Sequence, residues 1–266
     1  MQRKVLIILS VALLFLTSCN LNFKTQDEDV ASNIEILRYD RLECRYLTTG
    51  DFSALQQMNT VYPIETRTLI EDMLGIGEVS DPEINSKFLN FYQDTLLQEV
   101  LAEVQLQYAN IDDLNKLLSK SFARLQKLLP NLKIPRFYAQ VGALNQSIVV
   151  GDMMIGISLD KYLGKDFPVY KKYYDEKQIQ SMTREYIVPD CLAFYLLSQY
   201  HMEGLDQRTQ FEKDMHMGEV MWVVNKAVDQ HFFKTEFVKK VDNYMKQHHN
   251  VSLDNFLYST DFSWAE

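Results

Sequence analysis

Five histidines are the first place to look for chemistry in this chain: His201, His216, His231, His248 and His249. A helix that holds zinc presents two of them four residues apart with a glutamate between, because that spacing puts both rings on one face. No pair here has it, and the adjacent His248 and His249 point to different faces of a helix. The GxSxG elbow of hydrolases, the P-loop and the GxGxxG turn are missing as well. Carboxylates remain. Asp152 and Asp160 flank a predicted sheet, where loop caps and strand-end turns account for them. Asp190 follows Pro189 at the start of a predicted helix, where the dipole favours an acid. That helix offers Asp190 and Cys191 but no histidine before His201 at its far end. His216 comes next, with Glu212, Asp214 and Glu219 on what reads as an exposed face. These residues predict no catalytic site, no metal and no cofactor.

One residue has its chemistry written by its neighbours. Arg3 and Lys4 precede an apolar run from Val5 to Leu16, broken only by Ser10. The run is shorter than the roughly 20 residues of a membrane span and has the make-up of a secretory leader. It ends in Leu16-Thr17-Ser18-Cys19, which resembles the lipobox of bacterial lipoproteins. Residues 1–18 are therefore read as a signal peptide and Cys19 as the lipidation site, anchored stably because two or more acyl chains are needed to hold a protein on a membrane. Residues 19–32 form a lipidated Cys and polar tether, acidic at Asp27-Glu28-Asp29. Asn20 carries no acidic retention signal, so the expected location is the cell envelope at the outer membrane, with the periplasmic or surface face open.

The elements that must position any site lie in residues 33–266, read as a single α+β domain. The chain is 47% hydrophobic with a net charge of −9, which supports a sizeable core and argues against nucleic acid as a partner. Fifteen Tyr and fifteen Phe against nine Gly and six Pro favour a packed, mainly helical domain. Ile34 to Asp40 alternates like a short strand. Helices are predicted from Asp51 to about Asn59, from Pro63 to Leu74, and from a capped start at Ser80-Asp81-Pro82-Glu83 that buries Ile84, Phe88, Leu89 and Phe91. Others follow over 95–108 and 111–129, the last with a leucine stripe suited to the core. A small sheet is expected at about 135–157, with strands at 136–141, 146–150 and 153–157, followed by helices at 189–200, 211–230, 235–246 and 252–257. In the second of these Met217, Val220, Met221, Val224 and Val228 should face inward. Cys44 and Cys191 read as unpaired, buried thiols.

Several segments together resemble the GldB-type gliding-motility lipoproteins of Bacteroidetes. Leu37-Arg38-Tyr39-Asp40-Arg41-Leu42 is similar to their opening strand, and Ile134-Pro135-Arg136-Phe137-Tyr138 to their proline-led strand. Ile155-Gly156-Ile157-Ser158-Leu159-Asp160-Lys161-Tyr162-Leu163-Gly164 looks like their signature block, and Ile187-Val188-Pro189-Asp190 like the start of their next helix. The resemblance implies a zincin-like outline without the HExxH ligands. It also implies a non-enzymatic accessory protein of surface, motility or secretion machinery, with other envelope proteins and the membrane (through Cys19) as partners. Such proteins usually continue beyond the position matching Leu257 to Asp261, so the resemblance implies a short C-terminal part here. Two other functions fit the residues: a metallopeptidase-like enzyme with unconventional ligands, and a surface lipoprotein binding peptide or glycan.

Overall fold

Arg38 is where the chain turns from strand to helix. A computed structural model describes residues 33–265; the predicted leader, Cys19, the tether and Glu266 lie outside the described residues. Strand β1 covers only Ile36–Leu37, and helix α1 runs from Tyr39 to Thr49. The strand expected through Asp40 is therefore corrected. Arg38 grips the Asp40 carboxylate with two bonds of 2.8 and 2.7 Å and reaches the Tyr108 carbonyl, while Tyr39 turns fully inward. An acid in the first helical turn also suits the dipole.

Helix α2 (Phe52–Val61) starts as expected, with Asp51 accepting the Ser53 N–H. Pro63 opens α3 (Pro63–Arg67), which widens into a π-helical stretch at Thr68–Met73. Helix α4 (Ile84–Phe91) begins after Pro82 rather than at it, and Phe91 stays exposed. Asp94 caps α5 (Thr95–Gln107) through Leu96 and Leu97. In α6 (Asp112–Leu128) the stripe of Leu114, Leu118, Phe122 and Leu125 is buried in the core.

The sheet adds β2 (Arg136–Gln140), β3 (Ile148–Gly151) and β4 (Met154–Ser158) in the order β1-β2-β4-β3. β2 is parallel to β1 and to β4, and β3 is antiparallel to β4. Because β4 sits between β2 and β3, the loop over 141–147 must cross the carboxyl end of β4. Gly156 stands opposite Tyr138 in the register, and a Cβ there would lie 2.5 Å from the tyrosine ring, so only glycine fits. After the sheet come two single-turn helices, α7 (Tyr170–Tyr173) and α8 (Glu176–Ile179). Helix α9 (Ile187–Gln199) is apolar on nearly all sides and packs on β3, β4 and the long α10 (Gln210–Val228). Helices α11 (Glu236–Gln247) and α12 (Leu253–Tyr258) close the fold. In α10 the register is rotated from that expected: Val220, Val224 and Val228 are buried, Met217 and Met221 only half so, and Glu219 is buried instead of exposed. The class is α+β, with one contiguous core. Among the described residues no helix is long and apolar enough to cross a membrane.

Candidate functional site

The crossing loop is a heavily constrained stretch of backbone. Ala143 and Leu144 both have positive φ, +50° and +64°, a conformation that non-glycine residues hold only when the surroundings enforce it. Side chains supply that enforcement. The Asp160 carboxylate accepts the N–H groups of Gly142 (2.8 Å) and Leu144 (2.5 Å). The Leu144 carbonyl accepts from the Tyr174 hydroxyl and from Lys161, whose ammonium lies 4.1 Å from the Tyr174 ring centre. Asn145 donates to the Met73 carbonyl at 2.6 Å. On the other side Glu43, from the middle of α1, accepts the Val141 N–H at 2.8 Å, and Tyr92 donates to the Val141 carbonyl at 2.6 Å.

Burial dominates the electrostatics of this latch. Asp160 and Glu43 are both fully enclosed, and burial raises both carboxyl pKa values. For Asp160 the two loop N–H groups oppose the rise. For Glu43 the Val141 N–H opposes it, while the neighbouring Asp160 and Asp40 add to it. Lys161 is lowered by burial, against the pull of Asp160. The chemistry available is backbone clamping. Each carboxylate is committed to loop donors, and what reaches the surface is the tip at Asn145 and Gln146.

The residues singled out in the sequence do not converge. Cys19 lies outside the described residues. Asp152 sits exposed in the β3–β4 turn, whereas Asp160 is the loop cap expected of it. Asp190 lies in the first turn of α9 as expected, but burial lifts its pKa to about 7, partly opposed by the 2.8 Å hydrogen bond from the Tyr162 hydroxyl. Cys44 and Cys191 are free and buried, and desolvation raises both thiols. His201 is exposed beyond α9. His216 is buried with its Nε2 2.7 Å from the Tyr200 carbonyl and its Nδ1 3.4 Å from Glu219, whose pKa burial raises to about 7. Among the described residues no three His, Cys, Asp or Glu side chains are grouped as metal ligands. Sequence reasoning missed Glu43 because it fell in a helix not foreseen. Nothing in the local pattern ties it to a loop 98 residues on.

A family model described as gliding motility protein GldB matches residues 22–235. The chain belongs to the GldB family. No curated protein and no solved structure matches. The GldB match takes in the whole latch, from Glu43 through the crossing loop to Lys161 and Tyr174. Within it, six residues of the signature block have a plain physical reason. Gly156 makes room for Tyr138, Leu159 and Tyr162 are buried, Asp160 and Lys161 clamp the loop, and Gly164 adopts a φ of +102°.

The match stops inside the lining of a groove of about 690 Å³ between α10 and α11. Trp222, Phe233 and Val238 form its apolar floor. Lys226, Lys234, Lys239 and Lys246 stand around it, and Asp242 lies within it. This groove was not foreseen from the sequence, although lysines at 239 and 246 share a helical face.

Proposed function

We propose that this GldB-family chain is a lipid-anchored envelope protein, held through Cys19 at the outer membrane, that works by protein contacts in motility or secretion machinery and carries out no catalysis. Membership of the family is the observation that carries this reading. The use of Asp160, Lys161 and Glu43 as loop clamps supports it, since the signature's polar groups are committed to holding shape.

Two experiments test the parts separately. Cys19→Ala should block both acylation and leader removal. Uptake of labelled palmitate by the variant, with normal maturation, would refute the anchor. Crosslinking in intact cells followed by affinity capture should recover envelope proteins with the wild-type chain. Recovery of none, together with stoichiometric zinc and a peptidase activity lost in His216→Ala, would favour the enzyme instead.

A further inference from the structure

We infer that the groove between α10 and α11 is a docking site for an acidic peptide segment of a partner protein. The inference rests on the reading of protein contacts for the class of occupant alone; the site itself is drawn from charge and shape.

The chain carries 27 basic and 36 acidic residues, yet the groove lining reverses that balance, with four lysines and His231 against Asp229 and Asp242. Neither acid is free. Asp229 is paired at 3.1 Å with Arg124, which reaches over from α6. Asp242 already accepts from two donors, Lys246 at 2.7 Å and the Trp222 indole N–H at 2.9 Å, and forms a longer ion pair with Lys226 at 3.7 Å. Lys226 also lies 4.9 Å from the Trp222 ring centre. Lys234 and Lys239 are exposed and make no ion pair among the described residues, although Glu236 and Asp242 each lie one helical turn from Lys239 on α11. The groove is thus an acidic protein's cationic surface with two unused ammonium groups and one carboxylate already seated among the others.

The seated carboxylate is a template for the guest. Asp242 shows that this lining binds a side-chain carboxylate through lysine and indole donors together, and Lys234 and Lys239 offer equivalent donors at the open lip. Val238, Asp242 and Lys246 recur every four residues, so the lined face extends along α11. From Val238 to Lys246 that face spans roughly 12 Å at the helical rise, the length of about four residues of extended chain. A volume of 690 Å³ is in the range of preformed binding sites. The apolar lining of Trp222, Phe233 and Val238 suits a hydrophobic side chain of the same peptide. Phosphate recognition characteristically uses arginine forks, and no arginine lines this groove among the described residues.

Trp222 reports on the site, because the only other tryptophan is Trp264, which lines a different cavity. In the full-length chain carrying Trp264→Phe, a short Glu- and Asp-rich peptide with one central Phe should shift Trp222 emission to saturation at low salt. The same peptide with Gln and Asn in place of the acids should not. Lys234→Glu with Lys239→Glu should weaken binding at least about tenfold, and added salt should weaken it further. Equal binding of the neutral peptide, or binding unchanged by the two reversals, overturns the inference. So does saturation by anionic vesicles or dextran sulfate with no response to the peptide, since the occupant would then be a lipid or a glycan. Crosslinked partners that persist in the double variant while peptide binding fails would locate the protein contacts elsewhere and leave the proposed function standing.

Discussion

Two charged regions of this molecule have opposite fates. At the carboxyl end of the sheet, Glu43 and Asp160 are sealed from water and tied to the backbone of the crossing loop. At the α10–α11 groove, Lys234 and Lys239 stand in solvent beside an apolar floor. A buried polar group is costly unless bonded, so where the fold keeps one, its bonds serve the structure. An exposed ammonium costs the fold almost nothing and can await a partner. The GldB match covers the first region completely and breaks off within the second. On the proposed reading, the latch is a device for holding shape and the groove, at the C-terminal edge of the match, carries recognition.

If that division is right, substitutions in the latch should unfold the protein and substitutions in the groove should not. The largest effect is expected at Asp160. Asp160→Ala strands the Gly142 and Leu144 N–H groups, at about 1–3 kcal/mol each, so urea denaturation should show a loss of about 2–6 kcal/mol. Next comes Leu159→Ala. Leu159 is 1% exposed beside that carboxylate, and truncating a buried leucine costs about 2–5 kcal/mol. An unchanged unfolding midpoint in either variant would move the signature block from scaffold to surface function.

How far the latch could be read beforehand depends on the distance between its parts. Local pattern was enough for Asp51, Pro63 and the buried leucine stripe of α6, because caps, prolines and apolar spacing act within a few residues. It also placed the sheet and the α+β class. It failed at Tyr39–Asp40, where a run of strand-forming residues starts a helix because Arg38 clamps Asp40 from outside. It failed again at Glu219, which the helical wheel placed beside exposed acids and which tertiary packing buries beneath His216. Glu43 and the groove depend on segments that meet only in the folded chain, so no window of sequence contains them.

A third test separates burial from hydrogen bonding outside the latch, at Asp190, which accepts the Tyr162 hydroxyl bond. Asp190 has a folded pKa of about 7 against an ordinary value of 3.8. A raised carboxyl pKa means that the folded state holds the proton more tightly than the unfolded one. The associated stability is complete below about pH 4 and is lost as pH rises toward about 7. In Asp190→Asn the amide oxygen would still accept the Tyr162 hydroxyl bond, and the side chain would never ionise. The variant should therefore gain stability relative to the wild type between pH 4 and pH 7, by up to about 4 kcal/mol. Measuring the difference between the two proteins cancels the carboxylates whose pKa values move the other way, such as Asp51 and Glu212. A difference constant with pH would mean that water reaches Asp190 and that this end of the sheet is more open than its burial indicates.

The smallest expected effect is the most telling, because it is near zero on one axis and large on the other. Lys234 and Lys239 are exposed and make no ion pair among the described residues. Reversing both to Glu should change the free energy of unfolding by no more than about 0.5 kcal/mol, the usual range for surface positions of this kind. Lys246 provides the internal control, since it bonds Asp242 at 2.7 Å. Lys246→Ala removes an exposed pair worth about 0.2–1 kcal/mol and releases Asp242 to compete with an incoming acid for the Trp222 indole and Lys226. The prediction is a graded separation: Lys246→Ala slightly less stable and weaker in acidic-peptide binding, and the double reversal as stable as wild type but at least about tenfold weaker in binding. Should the double reversal unfold the protein instead, the groove would prove to be part of the same structural device as the latch, and the contrast between the two regions would fail.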